Sequence, residues 1–185
     1  MAKKKRISII SPAYNEEDNV EACYQAVAEL FAKGGPLEKY EREHIFADNA
    51  SEDSTADILR QLVATDPCVK VILNARNFGP FRSNFNALRY ATGDAVVVFL
   101  PTDLQDPPEL IPEMVKHWEN GIEVVAGMRA NREETLALRS FRRIFYRMSN
   151  SLSDFEIPEN VGEFQLIDRK VWEVVVSHTD QYPYI

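Results

Sequence analysis

The sequence predicts an α/β protein with a parallel, doubly wound sheet and helices on both faces, and three observations carry that prediction. Short β-branched runs alternate with longer amphipathic segments in the order β-α-β-α-β-α-β-α-β. The apolar spacing switches between a strand-like run and a helical 3–4 repeat at each step. The segments after the strands, residues 12–17, 48–51, 74–79 and 101–106, are rich in polar side chains, and ligands in open parallel sheets bind beyond the C-terminal ends of the strands.

The elements follow in order. Residues 7–11 (ISIIS) form the first strand, which the proline of PAYN breaks. Val20, Cys23, Tyr24, Val27, Leu30 and Phe31 lie on one face of a helix that ends at Gly34-Gly35-Pro36. Residues 44–47 form a second strand, and Ile58, Leu59, Leu62 and Val63 mark the face of a second helix. Residues 69–73 form a third strand and 83–90 a helix. Residues 95–100, the most apolar run, form the central strand. Pro107-Pro108 opens a helix, with Asp106 as its cap and Leu110, Ile111, Met114, Val115 and Trp118 on its buried side; residues 122–126 form a fifth strand. Beyond Gly127 the pattern becomes one long helix over 133–152, with Arg139, Arg142, Arg143 and Arg147 beside its apolar stripe, and residues 162–167 return to the sheet edge.

The 185 residues suffice for one domain with a sizeable core. The organisation expected is a single domain over 1–185, with a first half at 1–106 and a second at 107–185. The chain reaches residues 182–185 without a terminating element, the pattern of a piece of a longer protein. A net charge of −8 argues against general nucleic-acid binding. Positive charge gathers at Lys3 to Arg6 and between Arg129 and Arg147; such runs are commonly solvated surface, and the second also suits an anionic or membrane-surface partner. Cys23 and Cys68 form no CxxC pair, so no thiol metal or redox centre is expected. The N-terminal KKKR lacks a following apolar segment, and residues 95–100 are far too short to span a bilayer. A cytoplasmic location follows, with association at the cytoplasmic face of a membrane as an extension of it.

Residues 101–109, PTDLQDPPE, follow the central strand, where a switch point would place a ligand. Asp103 and Gln105 are two apart, so in extended backbone they face the same way. Two oxygens on one side, completed by waters and substrate phosphates, suit Mg²⁺ or Mn²⁺. No GxGxxG follows the first strand and no GxxxxGK[ST] occurs anywhere, which weighs against dinucleotide and P-loop readings.

Five segments in order, SPAYNEEDNV, ADNASEDST, NARNFG, TDLQDPPELIP and RRIFYRMSNSLSDFEIPENVGEFQLIDRK, give a resemblance covering nearly the whole chain. The sequence resembles family 2 glycosyltransferases of the GT-A fold, above all those that transfer sugars to polyprenyl phosphates. The resemblance implies that Pro12, Tyr14 and Glu16 line a nucleotide pocket, with Tyr14 near the base, and that Asp48 hydrogen-bonds base or ribose. It puts Arg76 on the donor side, and makes 1–106 the nucleotide-sugar-binding half and 107–185 the acceptor-side half. Asp103 would hold the metal on the diphosphate with Gln105 assisting, Glu163 would stand where the family has its catalytic aspartate, and Arg129, Arg139 and Arg143 would grip an acceptor phosphate. Three departures stand out. Pro101 replaces the first aspartate of the family's Asp-x-Asp-Leu-Gln motif, which implies weaker metal binding. Glu163 and Gln165 replace the aspartate and arginine of its Asp-Phe-Arg segment. The membrane helices found downstream in many relatives are absent from this stretch.

The function expected is therefore inverting transfer from a UDP- or GDP-linked sugar to an acceptor, foremost a polyprenyl phosphate. The alternatives are a nucleotide-sugar-binding domain with weak or no catalysis, transfer to a saccharide hydroxyl in cell-envelope synthesis, and a nucleotidyltransferase or other nucleotide-binding α/β enzyme.

Overall fold

A computed structural model describes residues 4–128 and 161–177. The chain divides into two compact units, Met1–Val125 with Glu163–Ile185, and Ala126–Gly162. The second unit lies almost wholly outside the described residues, as do the helix expected over 133–152 and the arginines Arg129, Arg139 and Arg143.

Six strands form one sheet: β1 (Arg6–Ala13), β2 (Glu41–Asp48), β3 (Val69–Leu73), β4 (Ala95–Val98), β5 (Val124–Met128) and β6 (Val161–Asp168). Among the described residues the α-helices are α1 (Val20–Phe31), α2 (Thr55–Thr65), α3 (Pro80–Leu88), α4 (Ile111–Glu119) and α5 (Arg169–Ser177). The strand order is β3-β2-β1-β4-β6-β5. β1 pairs in parallel with β2 and β4, and β2 with β3.

Alternation along the strands builds two apolar layers, because successive side chains leave opposite faces. Ile7, Ile9, Phe46, Ala95, Val97 and Leu166 join Val20, Cys23 and Val27 of α1, Leu59 of α2 and Ile111, Met114, Val115 and Trp118 of α4. On the other face Ile10, Ile45, Ala47, Val96, Val98 and Ile167 meet Ala87 and Leu88 of α3 and Trp172 of α5. Burying each of these large side chains contributes about 1.5–3 kcal/mol. Both faces of the sheet are covered, as the doubly wound reading requires.

The differences from expectation have local causes. Residues 162–167 do not return to the edge. β6 lies between β4 and β5, antiparallel to β4, with Ala95 opposite Asp168 and Val98 opposite Gln165. Its alternate side chains, Phe164 and Leu166 against Ile167, bury into opposite layers, so the strand is packed on both faces as well as hydrogen-bonded to β4. Pro12 does not break β1, which runs on to Ala13. The carbonyl of Ile10 accepts from Leu100 on the β4 side, and Pro12, two residues on, faces that same side. Pairing with β4 ends at Ile9, so the missing N–H of Pro12 falls where no ladder bond is needed. β4 stops at Val98 because Phe99 has φ 63°. Pro108–Leu110 forms a 3₁₀ turn before α4, with Pro107, not Asp106, at its cap position and no side-chain capping bond. That turn buries Pro108 and leaves Leu110 40% exposed, against the expected buried position. Val63 is likewise exposed on α2.

Candidate functional site

The βα loops converge at the C-terminal edge of the parallel strands. Four residues other than glycine have φ in the left-handed region among the described residues: Asn15 (54°), Ala50 (62°), Phe99 (63°) and Leu104 (56°). All four lie in these loops. Such conformations cost of order 1–3 kcal/mol and cluster where a site constrains the chain.

Side-chain hydrogen bonds stitch the loops together. The Asn15 N–H donates to Ser51 Oγ at 3.0 Å, and Asn15 Oδ1 accepts the Glu52 N–H at 2.8 Å. The Glu16 N–H donates to Thr55 Oγ1 at 2.8 Å, and Glu17 Oε2 accepts the Ser54 N–H at 2.9 Å. Asn49 Nδ2 donates to Asn77 Oδ1 at 2.8 Å. The loop after β1 is thus fastened to the loop after β2, and that loop to the one after β3.

Between them opens a cavity of about 240 Å³ lined by Pro12, Ala13, Tyr14, Glu16, Asn49, Asn77, Pro80, Phe99, Pro101, Thr102 and Asp103. Its wall is largely prolines and aromatic rings, with two amides and two carboxylates placed among them. That combination of flat apolar surface and a few oriented polar groups suits a small polar ligand with a planar part. Tyr14 is 42% exposed, so its ring is available to a ligand. Glu16 accepts from Asn19 Nδ2 at 2.7 Å. Thr102 is buried and donates to the Pro12 carbonyl at 3.3 Å, which holds the loop after β4 against the end of β1.

The expected site residues fall into three groups. Pro12, Tyr14, Glu16 and Asp103 line the cavity together. Asp48, Arg76, Gln105 and Glu163 are outside its lining. Asp48 is buried, and its oxygens accept the Ser51 hydroxyl at 2.5 Å and the Ser51 N–H at 3.3 Å; it shapes the loop after β2. Arg76 stacks its guanidinium 4.4 Å from the centre of the Phe78 ring. Glu163 lies on β6 two residues before Gln165, the partner of Val98. The ladder ends at that pair, because β4 stops where Phe99 turns left-handed. Arg129, Arg139 and Arg143 lie outside the described residues.

The segment carrying Asp103 and Gln105 is a turn, not extended backbone. Leu104 donates its N–H to the Pro101 carbonyl at 3.1 Å and adopts the left-handed conformation. Asp103 accepts the Gln105 N–H at 3.1 Å and Gln105 Nε2 at 2.6 Å. Gln105 therefore presents its amide nitrogen to the carboxylate and orients it. No group of three or more His, Cys, Asp or Glu side chains stands ready for a metal among the described residues. An Mg²⁺-type ion is commonly held by one or two carboxylates with phosphates and water completing its shell. The residues fit that arrangement, with Asp103 as the protein carboxylate.

Below the site, Ser11 Oγ lies 3.0 Å from His44 Nε2 and 3.8 Å from Cys23 Sγ, all three buried. Burial and the nearby Arg42 push the His44 pKa down to about 3. Burial pushes the Cys23 thiol up to about 12. Both groups are neutral at pH 7 and serve the core beneath Pro12.

Asn49, Asn77, Pro80, Phe99 and Thr102 are cavity residues that sequence reasoning did not single out, although four of the five lie in or beside the polar segments it marked. Phe99 was hidden in the apolar run 95–100, where nothing local announces its left-handed turn.

Residues 8–175 match the model described as Glycosyl transferase family 2. The chain is 37% identical over 186 residues to the uncharacterized glycosyltransferase YkcC of Bacillus subtilis (strain 168), covering 100% of this chain and 56% of that one. It is 37% identical over 169 residues to the prophage bactoprenol glucosyl transferase homolog of Escherichia coli (strain K12), covering 91% and 54%. The chain thus spans about half the length of the curated relatives it matches. Among solved structures, the mannosyltransferase PcManGT from Pyrobaculum calidifontis in complex with GDP-Man and Mn2+ superposes with a TM-score of 0.60 at 24% identity, covering 93% of this chain and 47% of that one. Glucosyl-3-phosphoglycerate synthase from Mycobacterium tuberculosis in complex with UDP gives 0.61 at 23%, covering 90% and 58%. The fold is GT-A.

Proposed function

The chain belongs to glycosyl transferase family 2, and on that premise we propose that the protein moves a sugar, with inversion, from a UDP- or GDP-linked donor to a polyprenyl phosphate at the cytoplasmic face of a membrane. The observation that carries this reading is the cavity where Tyr14, Glu16 and Asp103 meet at the C-terminal edge of the strands. The names of the bactoprenol glucosyl transferases among the relatives support the acceptor class.

In this reading Pro12 and Tyr14 offer flat surface to the base, Asp48 and Arg76 shape the donor side, and Asp103 faces the diphosphate with Gln105 orienting it. A divalent ion held by Asp103 and the diphosphate would neutralise charge on the leaving group. An acceptor oxygen attacks the sugar C1 from the face opposite the diphosphate; the new C–O bond forms as the bond to the diphosphate breaks, and the configuration at C1 inverts. A phosphate acceptor is already largely ionised at pH 7, its second pKa being about 6, so positioning matters more than proton removal. Arg129, Arg139 and Arg143 are suited to that task by the fork geometry of guanidinium groups. The carboxylate of Glu163, on β6 two residues before the partner of Val98, motivates a second reading, a saccharide hydroxyl whose proton Glu163 accepts. Pro101 and Gln165 motivate a third, donor binding without efficient turnover.

The test is transfer by the full-length protein from radiolabelled UDP-glucose or GDP-mannose to undecaprenyl phosphate in vesicles, against soluble saccharides. Label in the lipid phase with an inverted linkage is expected. Exclusive transfer to hydroxyls would overturn the acceptor, and tight nucleotide binding without transfer to either would establish the binding-domain reading.

A further inference from the structure

Two asparagines on different loops interlock at the cavity wall. Asn49 Oδ1 accepts the Phe78 N–H at 2.9 Å, and Asn77 Oδ1 accepts the Gly79 N–H at 2.9 Å. Backbone N–H groups only donate, so both amides have their orientation fixed. Asn49 Nδ2 then donates to Asn77 Oδ1 at 2.8 Å, and the Asn49 N–H donates to the Ala13 carbonyl at 2.9 Å. Asn49 is 3% exposed, yet it lines the cavity with Asn77 and Pro80. One side chain therefore ties the end of β2 to the turn that opens α3, while its backbone ties it to β1.

The start of the same loop is held separately, by Asn74, whose N–H donates to the Asp48 carbonyl at 2.9 Å and whose side chain bonds Ser83 and Asn86. Ala50 (φ 62°) and Gly79 (φ 83°) take left-handed conformations on either side of the pair, and α3 has Gly79 at its cap position without a side-chain capping bond.

We propose that Asn49 and Asn77 form an amide clasp that sets the separation of the two loop walls around the donor nucleotide, so that both are positioning residues for donor binding. The role rests on the donor-cavity reading above. It has an internal asymmetry. Asn77 enters the clasp through its oxygen alone, so aspartate there keeps both accepted bonds. Asn49 uses oxygen and nitrogen, so aspartate there keeps Phe78 but turns a carboxylate oxygen towards Asn77 Oδ1.

The experiment is a double-mutant cycle, Asn49→Ala, Asn77→Ala and both together, on the full chain. Titration calorimetry with UDP and with GDP, each with Mn²⁺, reads affinity, and amide hydrogen exchange at Phe78 reads the clasp. Each single change is expected to weaken nucleotide binding about tenfold, the size of one lost hydrogen bond, and the double change to add no more than about twofold. The donor KM in turnover assays rises while kcat stays within about twofold. Exchange at Phe78 accelerates in Asn49→Ala and stays slow in Asn77→Asp; Asn49→Asp, which keeps the Phe78 bond but sets two acceptor oxygens against each other, weakens nucleotide binding. If Asn49→Ala does not fold, Asn49→Asp takes its place in the cycle. Additive losses, or an Asn49→Asp that binds nucleotide like the wild type, overturn the clasp while leaving the donor reading intact. A wild type that binds neither nucleotide overturns the donor reading, and the clasp's role falls with it.

Discussion

The two edges of the sheet solve the same turning problem in different ways. At the N-terminal edge the chain reverses between helix and strand with glycines in the left-handed region, Gly34 (φ 86°) and Gly121 (φ 91°). At the C-terminal edge one glycine, Gly79 (φ 83°), does the same, but Asn15, Ala50, Phe99 and Leu104 take that conformation with side chains attached. Three of the four use that side chain: Asn15 bonds the Glu52 N–H, Phe99 lines the cavity, and Leu104 packs on the core. Glycine suffices where only the backbone must turn; the other edge keeps side chains in place at an energetic cost.

The charges differ in the same sense. The N-terminal edge holds the larger cleft, about 670 Å³, lined by Arg6, Arg42, Glu43, Lys70 and neighbours. Its charges are already matched. Arg6 pairs with Glu41 at 2.8 Å, Lys70 with Glu43 at 2.6 Å, and Arg42 with Asp66 while lying over the Tyr24 ring. Glu43 also accepts from Ser8 and Thr92; burial alone would raise its pKa, but these donors together with Lys70 hold it below the usual value. Gly93 sits so close to Ser8 that a Cβ would lie 2.6 Å from its hydroxyl. That edge is closed structural work, whereas the smaller cavity leaves Asp103 exposed to meet a ligand.

Four measurements would break or sharpen this contrast. The largest effect is expected for Asp103→Ala, which should weaken Mn²⁺-dependent donor binding by at least about 10²-fold with an unchanged melting temperature. Calorimetry showing wild-type affinity would remove Asp103 from the metal. Next, Glu163→Gln should lower kcat about 10²-fold with a hydroxyl acceptor and far less with a phosphate acceptor, donor affinity being unchanged. Equal rates with both acceptors would take Glu163 off the catalytic list.

The third is a pH dependence that belongs to the interior. His44 stays neutral in the fold, with its pKa down to about 3, while the unfolded imidazole titrates near 6.5. Between those values the unfolded chain binds more protons. Stability is therefore complete above about pH 6.5 and declines as pH falls through the window, by up to ~1.4 kcal/mol per pH unit. The depressed carboxyl of Glu43 acts in the same direction at lower pH. Melting temperatures from pH 8 to 4 should show the decline, and His44→Gln should flatten its upper part; an identical slope in the variant would assign it elsewhere. The smallest effect is Ala50→Gly, expected to change stability by no more than about 1 kcal/mol, in the stabilising direction, as the left-handed strain is relieved. A clear loss of stability in denaturant titration would mean that the methyl group packs usefully.

What the sequence made legible follows the range over which each signal acts. The βα alternation and the buried faces of α1 and α4 depend on neighbours three or four residues apart, and they read correctly apart from Leu110. The edge of the sheet that carries the polar loops was readable from the same alternation; Asp103 was marked there from its own segment, and Tyr14 and Glu16 only through the family resemblance, and all three line the cavity. Asn49 and Asn77 were not singled out, because their meaning lies in a bond between residues 28 positions apart. The side chains of Asp103 and Gln105 do meet, but across a turn at the left-handed Leu104 and not along extended backbone, which no local signal announced. β6 was placed at the edge because strand order depends on contacts across more than sixty positions, such as Asp168 with Ala95.

That late strand has a consequence for how the protein comes into being. β4 is complete at Val98, yet its neighbour on one side, β6, begins at Val161. During synthesis at roughly 5–20 residues per second, the buried ribbon Ala95–Val98 waits several seconds with one row of backbone donors and acceptors unpaired. Throughout that interval it is an open template for any other extended chain. The newborn polypeptide is thus most vulnerable at the centre of its finished architecture, and holding chaperones would be needed longest there.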